Sequence, residues 1–131
     1  MNLINLIFKD LTTQRVLFHL SDFAFKTLKE YEEDGYIELE KFVEDSIRTY
    51  LNEYSGAVEK GSLDKLNLDK TRPIFLRISK ILLIRLWWCA LKLKATQSEI
   101  INEALSYSMP HLISQVEATE DCSIELALKE N

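Results

Sequence analysis

Two short segments of the chain carry an apolar residue at every second position. In the first these residues are Val16, Phe18 and Leu20, and in the second they are Ile74, Leu76 and Ile78. An alternation with a period of two is typical of a β-strand that buries one face. A serine follows each segment, Ser21 or Ser79, and its hydroxyl can accept a hydrogen bond from the exposed N–H groups of a helix start. The pattern therefore predicts a strand followed directly by a helix, twice.

After each predicted strand the apolar residues recur at steps of three and four, which is typical of amphipathic helices. The first helix of each pair carries Ala24, Phe25, Leu28 and Tyr31, or Leu82, Leu83, Leu86, Cys89, Ala90 and Leu93. Turns are predicted at Asp34-Gly35 and at residues 94–96, each followed by a second helix. The second helices carry Phe42, Val43, Ile47, Tyr50 and Leu51, or Ile100, Ile101, Ala104, Leu105 and Met109. Thr96 or Ser98 is expected to cap the later one.

These two sets of elements form an internal repeat. A shift of 58 residues superimposes RVLFHLSDFAFKTLKEY on PIFLRISKILLIRLWWC, and EKFVEDSIRTYL on SEIINEALSYSM, without a gap. Each copy is too small to fold alone, and a single strand would leave its backbone groups unpaired. We therefore expect the two strands to pair antiparallel, with four helices behind them. The predicted boundaries are an N-terminal extension at 1–14, copy 1 at 15–54, a linker at 55–71, copy 2 at 72–110 and a C-terminal tail at 111–131.

The composition suits one α+β unit that is mostly helical. The chain has 131 residues, of which 47% are apolar, and only 3 Gly and 2 Pro. The longest apolar stretch runs from Ile81 to Leu91 and contains Arg85, so we expect no membrane span. Cys89 and Cys122 are isolated and no cleavable leader opens the chain, which predicts a cytoplasmic protein.

Charge is distributed unevenly along the chain. The formal net charge is −5, which by itself argues against binding to phosphate backbones. However, residues 1–58 hold 6 Lys and Arg against 11 Asp and Glu, whereas residues 70–94 hold seven basic residues and no acid. We therefore expect a nucleic-acid contact, if there is one, to be stronger through the second copy.

The repeat resembles the ribbon-helix-helix fold of the MetJ, Arc and CopG-type regulators. The closer match is the second copy, with its IFLRIS strand and its SEIINEAL helix. Members of this family are usually homodimers, so the resemblance implies a single-chain pseudo-dimer with two tandem modules. It also implies transcriptional regulation, in which the paired ribbon enters the major groove of double-stranded DNA and the second helices hold phosphates at their N-termini.

The outward side chains of the ribbon are the candidates for reading bases. If Val16 and Ile74 point inward, the outward residues are Arg15, Leu17, His19, Pro73, Phe75 and Arg77. Of these, we expect base contacts from Arg15, Leu17, His19, Phe75 and Arg77, with the two arginines bidentate to guanine.

Leu17 and Phe75 depart from the family pattern, because polar side chains are expected at the centre of the face. They could contact thymine methyl groups. Alternatively, the apolar segment Met1 to Leu11 could cover them.

Phosphate contacts are predicted at the start of the last helix. Thr96, Gln97 and Ser98 offer small polar groups and free amides there, and Lys80 and Lys94 could add positive charge. Each lysine taken alone, including Lys41, fits a solvated surface charge better, and only the clustering of the lysines favours a phosphate contact. The equivalent residues of the first copy, Glu38 to Glu40, would repel a phosphate.

A second apolar face is predicted on the helix that follows Ser79. It comprises Ile84, Trp87, Trp88 and Leu91, on the side opposite the core residues of this helix. One explanation is that the tail covers it through apolar residues such as Leu112, Ile113, Val116, Ile124, Leu126 and Leu128. The other is an interface between whole molecules.

No motif for catalysis, metal or cofactor binding is recognisable. His19 and His111 are far apart in the sequence, neither cysteine has a partner at metal-ligand spacing, and the acidic cluster between Glu30 and Asp45 fits a solvated face. We expect no enzyme activity and no small-molecule ligand. The alternative to DNA binding is a protein-interaction module, antitoxin-like or anti-regulator, on the same fold.

Overall fold

The structure is a computed structural model that describes residues 3–4 and 11–130, with side chains up to residue 122. The chain is α+β and mostly helical, as predicted. Its elements in this part are β1 (Thr13–Ser21), α1 (Asp22–Glu33), α2 (Leu39–Glu53), β2 (Thr71–Ser79), α3 (Lys80–Leu93) and α4 (Gln97–Glu130), with short 3₁₀ turns at Ser55–Ala57 and Leu68–Lys70. None of the described helices combines the length and the apolar character needed to cross a bilayer.

The two strands pair with each other in a two-stranded antiparallel sheet. Leu17 lies opposite Phe75, and the neighbouring pairs on the same face are Arg15 with Arg77 and His19 with Pro73. Leu17 and Phe75 are also equivalent in the 58-residue repeat, so the pairing runs symmetrically outward from them.

Each strand passes directly into a helix that its terminal serine caps, as predicted. The Ser21 hydroxyl accepts from the N–H of Ala24 at 3.2 Å, and the Ser79 hydroxyl accepts from the N–H of Leu82 at 3.5 Å. Both strands begin slightly earlier than expected. β1 starts at Thr13, inside the segment assigned to the N-terminal extension, and β2 starts at Thr71, the last residue of the assigned linker.

The core lies between the inner face of the sheet and the four helices. The most extensive helix–helix contact joins α2 and α4, and there the hydroxyls of Ser46 and Ser108 lie 2.7 Å apart. Val16 is only partly buried. Fully buried residues come from both halves and include Phe18, Leu20, Leu28, Val43, Ile47, Leu76, Ile78, Leu86, Ile101 and Leu105.

The loops between helices follow the predicted turns. Gly35 adopts a left-handed backbone with φ of 82° after α1, and Lys94 does the same with φ of 52° after α3. Lys94 donates its N–H to the Ala90 carbonyl, which closes the end of α3. The linker returns along this end, since the N–H of Gly61 donates to the Leu93 carbonyl at 2.9 Å.

Helix α4 extends past the predicted end of the second copy. The predicted boundary lies at Pro110, and α4 continues through this residue to Glu130. A proline inside a helix removes one backbone hydrogen bond. The helix continues because the next turns still bury apolar side chains: Met109, Leu112 and Val116 belong to the core and follow the same stripe as Leu105. The assigned tail therefore contributes Leu112 and Val116 to the core.

Candidate nucleic-acid interface

The outer face of the ribbon brings the predicted base-reading residues together. Arg15, Leu17 and Phe75 are exposed, whereas His19 and Arg77 are half-buried. The two central side chains, Leu17 and Phe75, are 45% and 55% exposed. Most of the segment proposed to cover them lies outside the described residues, and its described members, Leu3, Ile4 and Leu11, are themselves exposed.

Arg15 stacks on the central aromatic side chain. Its guanidinium carbon lies 4.6 Å from the centroid of the Phe75 ring, which is a cation–π geometry. The contact crosses the ribbon diagonally, since Arg15 pairs with Arg77 and Phe75 pairs with Leu17. It holds the positive charge of Arg15 over the middle of the face, where its planar fork remains exposed.

The two arginines of β2, Arg72 and Arg77, have protein partners. A terminal nitrogen of Arg77 donates to the Thr13 hydroxyl at 3.3 Å. The Nε of Arg72 donates to Asp22 at 2.9 Å. Hydrogen bonds from Lys26 first, and from Arg72 second, lower the pKa of the Asp22 carboxyl. Arg72 is therefore tied to the start of α1, at the edge of the ribbon.

A hydrogen bond joins each end of the ribbon to the start of a second helix. The N–H of His19 donates to the Ser98 hydroxyl at 3.0 Å, and the N–H of Arg77 donates to the Glu40 carboxylate at 2.9 Å. His19 and Arg77 are equivalent in the repeat, and so are Ser98 and Glu40. The same contact is thus made twice, by a neutral side chain in one half and by an acid in the other.

Asn102 also joins β1 to α4, beside Ser98, through its side-chain hydrogen bonds. Its carbonyl oxygen accepts from the N–H of Ser21 at 2.8 Å, and its amide donates to the carbonyls of His19 and Ser98 at 2.9 and 2.7 Å. Asn102 is not among the residues predicted from the sequence. The signal that could have found it is a polar residue on the inner side of an otherwise apolar helix stripe, one turn after a helix start.

The start of α4 is a capping box. The Thr96 hydroxyl accepts from the N–H of Glu99 at 3.1 Å, and the N–H of Thr96 donates to the Glu99 carboxylate at 2.8 Å. Thr96 is therefore the cap, and Ser98, the other candidate, holds β1 instead. Within the described part of the chain, the N–H groups of Gln97 and Ser98 have no acceptor.

A cleft of about 580 Å³ opens beside this helix start. It combines two lysines with polar groups of the strand and the helix, and its lining includes His19, Lys65, Lys94, Thr96, Ser98 and Glu99. Lys65 was missed because it lies in the linker, without a periodic signal. Lys80 is not part of this cluster: it follows Arg77 at the opposite end of the ribbon and lines a separate groove with Gln14 and Trp87.

The start of α2 differs from that of α4. The N–H of Leu39, the first helical residue, donates to the Glu32 carboxylate at 2.9 Å, and the Glu38 side chain makes no capping bond. Glu40 is bound to β2 beside it. The carboxylates of Glu32 and Glu40 therefore lie at the start of α2, whereas the equivalent start of α4 has the amides of Gln97 and Ser98. Lys41 is exposed next to them.

The predicted apolar face of α3 is exposed. Ile84, Trp87, Trp88 and Leu91 are each about half exposed or more, and the two indole rings meet edge to face with centroids 5.4 Å apart. In the tail proposed to cover this face, Leu112 and Val116 belong to the core instead. Ile124, Leu126 and Leu128 fall where the structure describes no side chains.

The candidates for other chemistry do not assemble into a site. His19 lies on the ribbon and His111 lines a groove beside Tyr54 and Tyr107. Burial raises the pKa of the Cys89 thiol, and nearby Lys92 opposes this shift. In the described part of the chain no three His, Cys, Asp or Glu residues converge in a way that could hold a metal ion.

Comparison with known proteins finds no matching family model, curated protein or solved structure.

Proposed function

We propose that the chain is a tandem ribbon-helix-helix pseudo-dimer that acts in the cytoplasm as a sequence-specific, double-stranded DNA-binding transcriptional regulator, without a cofactor or an enzymatic reaction. The observation that carries the proposal is the exposed outer face of the ribbon, where Arg15 and Arg77 lie opposite each other beside Leu17 and Phe75. A two-stranded ribbon fits the major groove, which is about 12 Å wide.

The polar and apolar side chains of the outer face fit different groups on the bases. Arginine is the commonest base reader, since its planar fork matches O6 and N7 of guanine. The stacking of Arg15 on Phe75 reduces the freedom that Arg15 would lose on binding. Leu17 and Phe75 offer apolar surface for thymine methyl groups. His19 lies at the edge of this face, beside the start of α4.

Phosphate contacts are supported mainly on the α4 side. The free amides of Gln97 and Ser98 point out of a helix start, where the macrodipole favours an anion. Lys94 and Lys65 lie around the same cleft, with Thr96 at its edge. On the α2 side Glu32 and Glu40 would repel a phosphate, although Lys80 lies at that end of the ribbon. We therefore propose asymmetric contacts and an operator that is not a strict palindrome.

The test is selection of bound fragments from random duplex DNA, followed by mobility shifts with the selected sequence. Arg77→Ala should weaken specific binding by roughly 1–3 kcal/mol and relax the preference at one base pair. Arg48→Ala is the matched control, because Arg48 is half exposed and pairs with Glu44 and Asp45 on α2, away from the ribbon. No enrichment of any sequence, or equal binding by the two variants, would overturn the proposal.

The second candidate is a protein-interaction module on the same fold. The exposure of Leu17 and Phe75 favours it, because family-like DNA readers carry polar residues there. Salt separates the two functions. DNA binding through several phosphates loses orders of magnitude in affinity between low and moderate salt, whereas an apolar protein contact responds weakly.

A further inference from the structure

One exposed surface, the outer face of α3, is not used by the proposed DNA contact. It contains Ile81, Ile84, Trp87, Trp88 and Leu91, which are between 49% and 74% exposed. The residues at the equivalent positions of α1 are Phe23, Lys26, Lys29, Glu30 and Glu33. The same fold position is therefore largely polar in the first half. Because the fold is satisfied by a polar helix surface here, the apolar residues of α3 are not needed for folding.

The spacing of these residues indicates a helical partner. Ile81, Ile84, Trp88 and Leu91 follow one another at steps of three, four and three, which is the spacing of the a and d positions in a two-stranded coiled coil. Shallow grooves flank the tryptophan ridge on both sides. One is lined by Ile84 and Trp87, and the other by Trp88 and Leu91. A surface with a ridge and flanking grooves is self-complementary, since the Trp87 and Trp88 side chains of one copy can enter a groove of the other.

The exposed area fits pairing with an identical face. Counting each aromatic side chain at about 200 Å², the five side chains expose on the order of 500 Å². Such a patch is at the upper end of what a typical monomer leaves in water. Two copies face to face would bury roughly 1,000 Å² in total before the flanking polar residues are counted, which reaches the lower bound for a specific interface.

We propose that two copies of this chain associate through the outer faces of their α3 helices, related by a two-fold axis. This pairing does not depend on DNA binding. α3 contains no acid, and Lys80 and Lys92 flank the apolar face. Like charges therefore meet at the rim of the pair, where salt screens their repulsion. Added salt should strengthen the association, in contrast to its effect on a contact with DNA.

The experiment is sedimentation of the full chain from micromolar to submillimolar concentration at low and high salt, without DNA. A concentration-dependent dimer that becomes tighter with salt is expected. The two tryptophans of the chain both lie in this face, so dimerisation should shift their fluorescence emission to the blue.

Two variants replace apolar residues of this face with the polar residues found at the equivalent positions of the first half. Trp88→Glu and Ile84→Lys, the residues found at the equivalent positions of α1, should remain monomeric over the whole range. Phe23→Glu is the matched control: Phe23 is 65% exposed at the position equivalent to Ile81, and this variant should still dimerise. Circular dichroism checks that all three keep the helical signal, and having two face variants keeps the test decisive if one misfolds.

Several results would overturn the proposal. They are a monomer at every concentration, a dimer that salt weakens, or a dimer that persists in both face variants. A monomer whose emission shifts only on vesicles of anionic phospholipid would assign the face to a lipid surface instead. Loss of sequence-specific DNA binding would leave the dimerisation result unaffected, so failure of this inference and of the proposed function can be told apart.

Discussion

Leu17 of β1 lies directly opposite Phe75 of β2, and the two residues are equivalent in the 58-residue repeat. Because the register is centred on this pair, each flanking residue lies opposite the residue equivalent to its neighbour on the other side of the centre. Arg15 therefore faces Arg77, and His19 faces Pro73. The hydrogen bonds from the two ribbon ends to the second helices follow the same symmetry, since the strand of each half bonds to the second helix of the other half. The two halves therefore occupy matching positions while presenting different side chains.

The Glu40 carboxylate should oppose DNA binding at the α2 side. Glu40→Ser replaces it with the side chain that the repeat has at this position, and a serine hydroxyl can still accept from the N–H of Arg77. The repulsion between an exposed carboxylate and a nearby phosphate is worth about 0.2–1 kcal/mol, so removing it should raise affinity for duplex DNA by up to about fivefold. Fluorescence anisotropy over a salt series measures this.

The matched control is Glu53→Gln, which makes the same change of net charge at the far end of α2. It should leave DNA affinity nearly unchanged. An equal rise in both variants would show that only the net charge of the molecule matters, and not the position of Glu40.

Asn102 should be important for stability, because it satisfies three backbone groups of β1 and α4. Asn102→Ala leaves part-buried donors and acceptors without partners, which costs roughly 1–3 kcal/mol of unfolding free energy. Urea denaturation measures the loss. Asn52→Ala is the control, since Asn52 makes one exposed bond to Arg85 and its loss should cost less than about 0.5 kcal/mol. A similar loss of unfolding free energy in both variants would contradict this role of Asn102.

Phe75 should contribute to DNA recognition much more than to stability, since it is 55% exposed. If Phe75 meets a thymine methyl group, replacing that thymine by uracil should lower wild-type affinity roughly threefold to fourfold, from about 0.8 kcal/mol per buried carbon. The Phe75→Ala variant should bind both duplexes equally. Mobility shifts with matched duplexes test this, and Phe23→Ala, on α1, should keep the wild-type discrimination. A uracil effect that persists in Phe75→Ala would remove the contact.

Tyr50 should make the fold sensitive to alkali. Burial first, and then nearby Glu103, raises the pKa of its phenol to about 12. The unfolded chain loses this proton near pH 10, so the folded state binds it more tightly. The contribution of Tyr50 to stability is therefore complete below pH 10 and is lost as the pH rises toward 12.

Tyr50→Phe should flatten part of this alkaline loss, which thermal unfolding between pH 9 and 12 measures. Some of the loss should remain, because burial also raises the pKa values of Tyr31 and Tyr36. The Tyr50 hydroxyl is buried without a partner among the described residues, so the variant should be no less stable at pH 7. Tyr54→Phe, at a part-exposed ring, should keep the wild-type profile. Identical profiles for Tyr50→Phe and the wild type would contradict the assignment.

The ribbon and its caps were predictable because they depend on local pattern. Alternation gave the inward faces of β1 and β2, and the unpaired backbone of a single strand gave their antiparallel pairing. The side-chain contacts between distant elements were not predictable. Asn102 and Glu40 act across more than 35 residues of sequence, and Lys80 was grouped with Lys94 although antiparallel pairing puts them at opposite ends of the ribbon. The sequence also did not show that α4 continues through Pro110, where burial of Leu112 and Val116 outweighs one missing backbone hydrogen bond.

Both strands of the ribbon belong to one polypeptide, whose two halves are joined by the linker that contacts the end of α3. Folding of this unit is therefore unimolecular, and dilution cannot separate its halves as it would two subunits. A mutation in one half is also not copied into the other. Copy 1, residues 15–54, holds 5 basic and 10 acidic residues, whereas copy 2, residues 72–110, holds 6 basic and 2 acidic ones, and both fill a common interior. Identical subunits encoded by one gene cannot differ in this way.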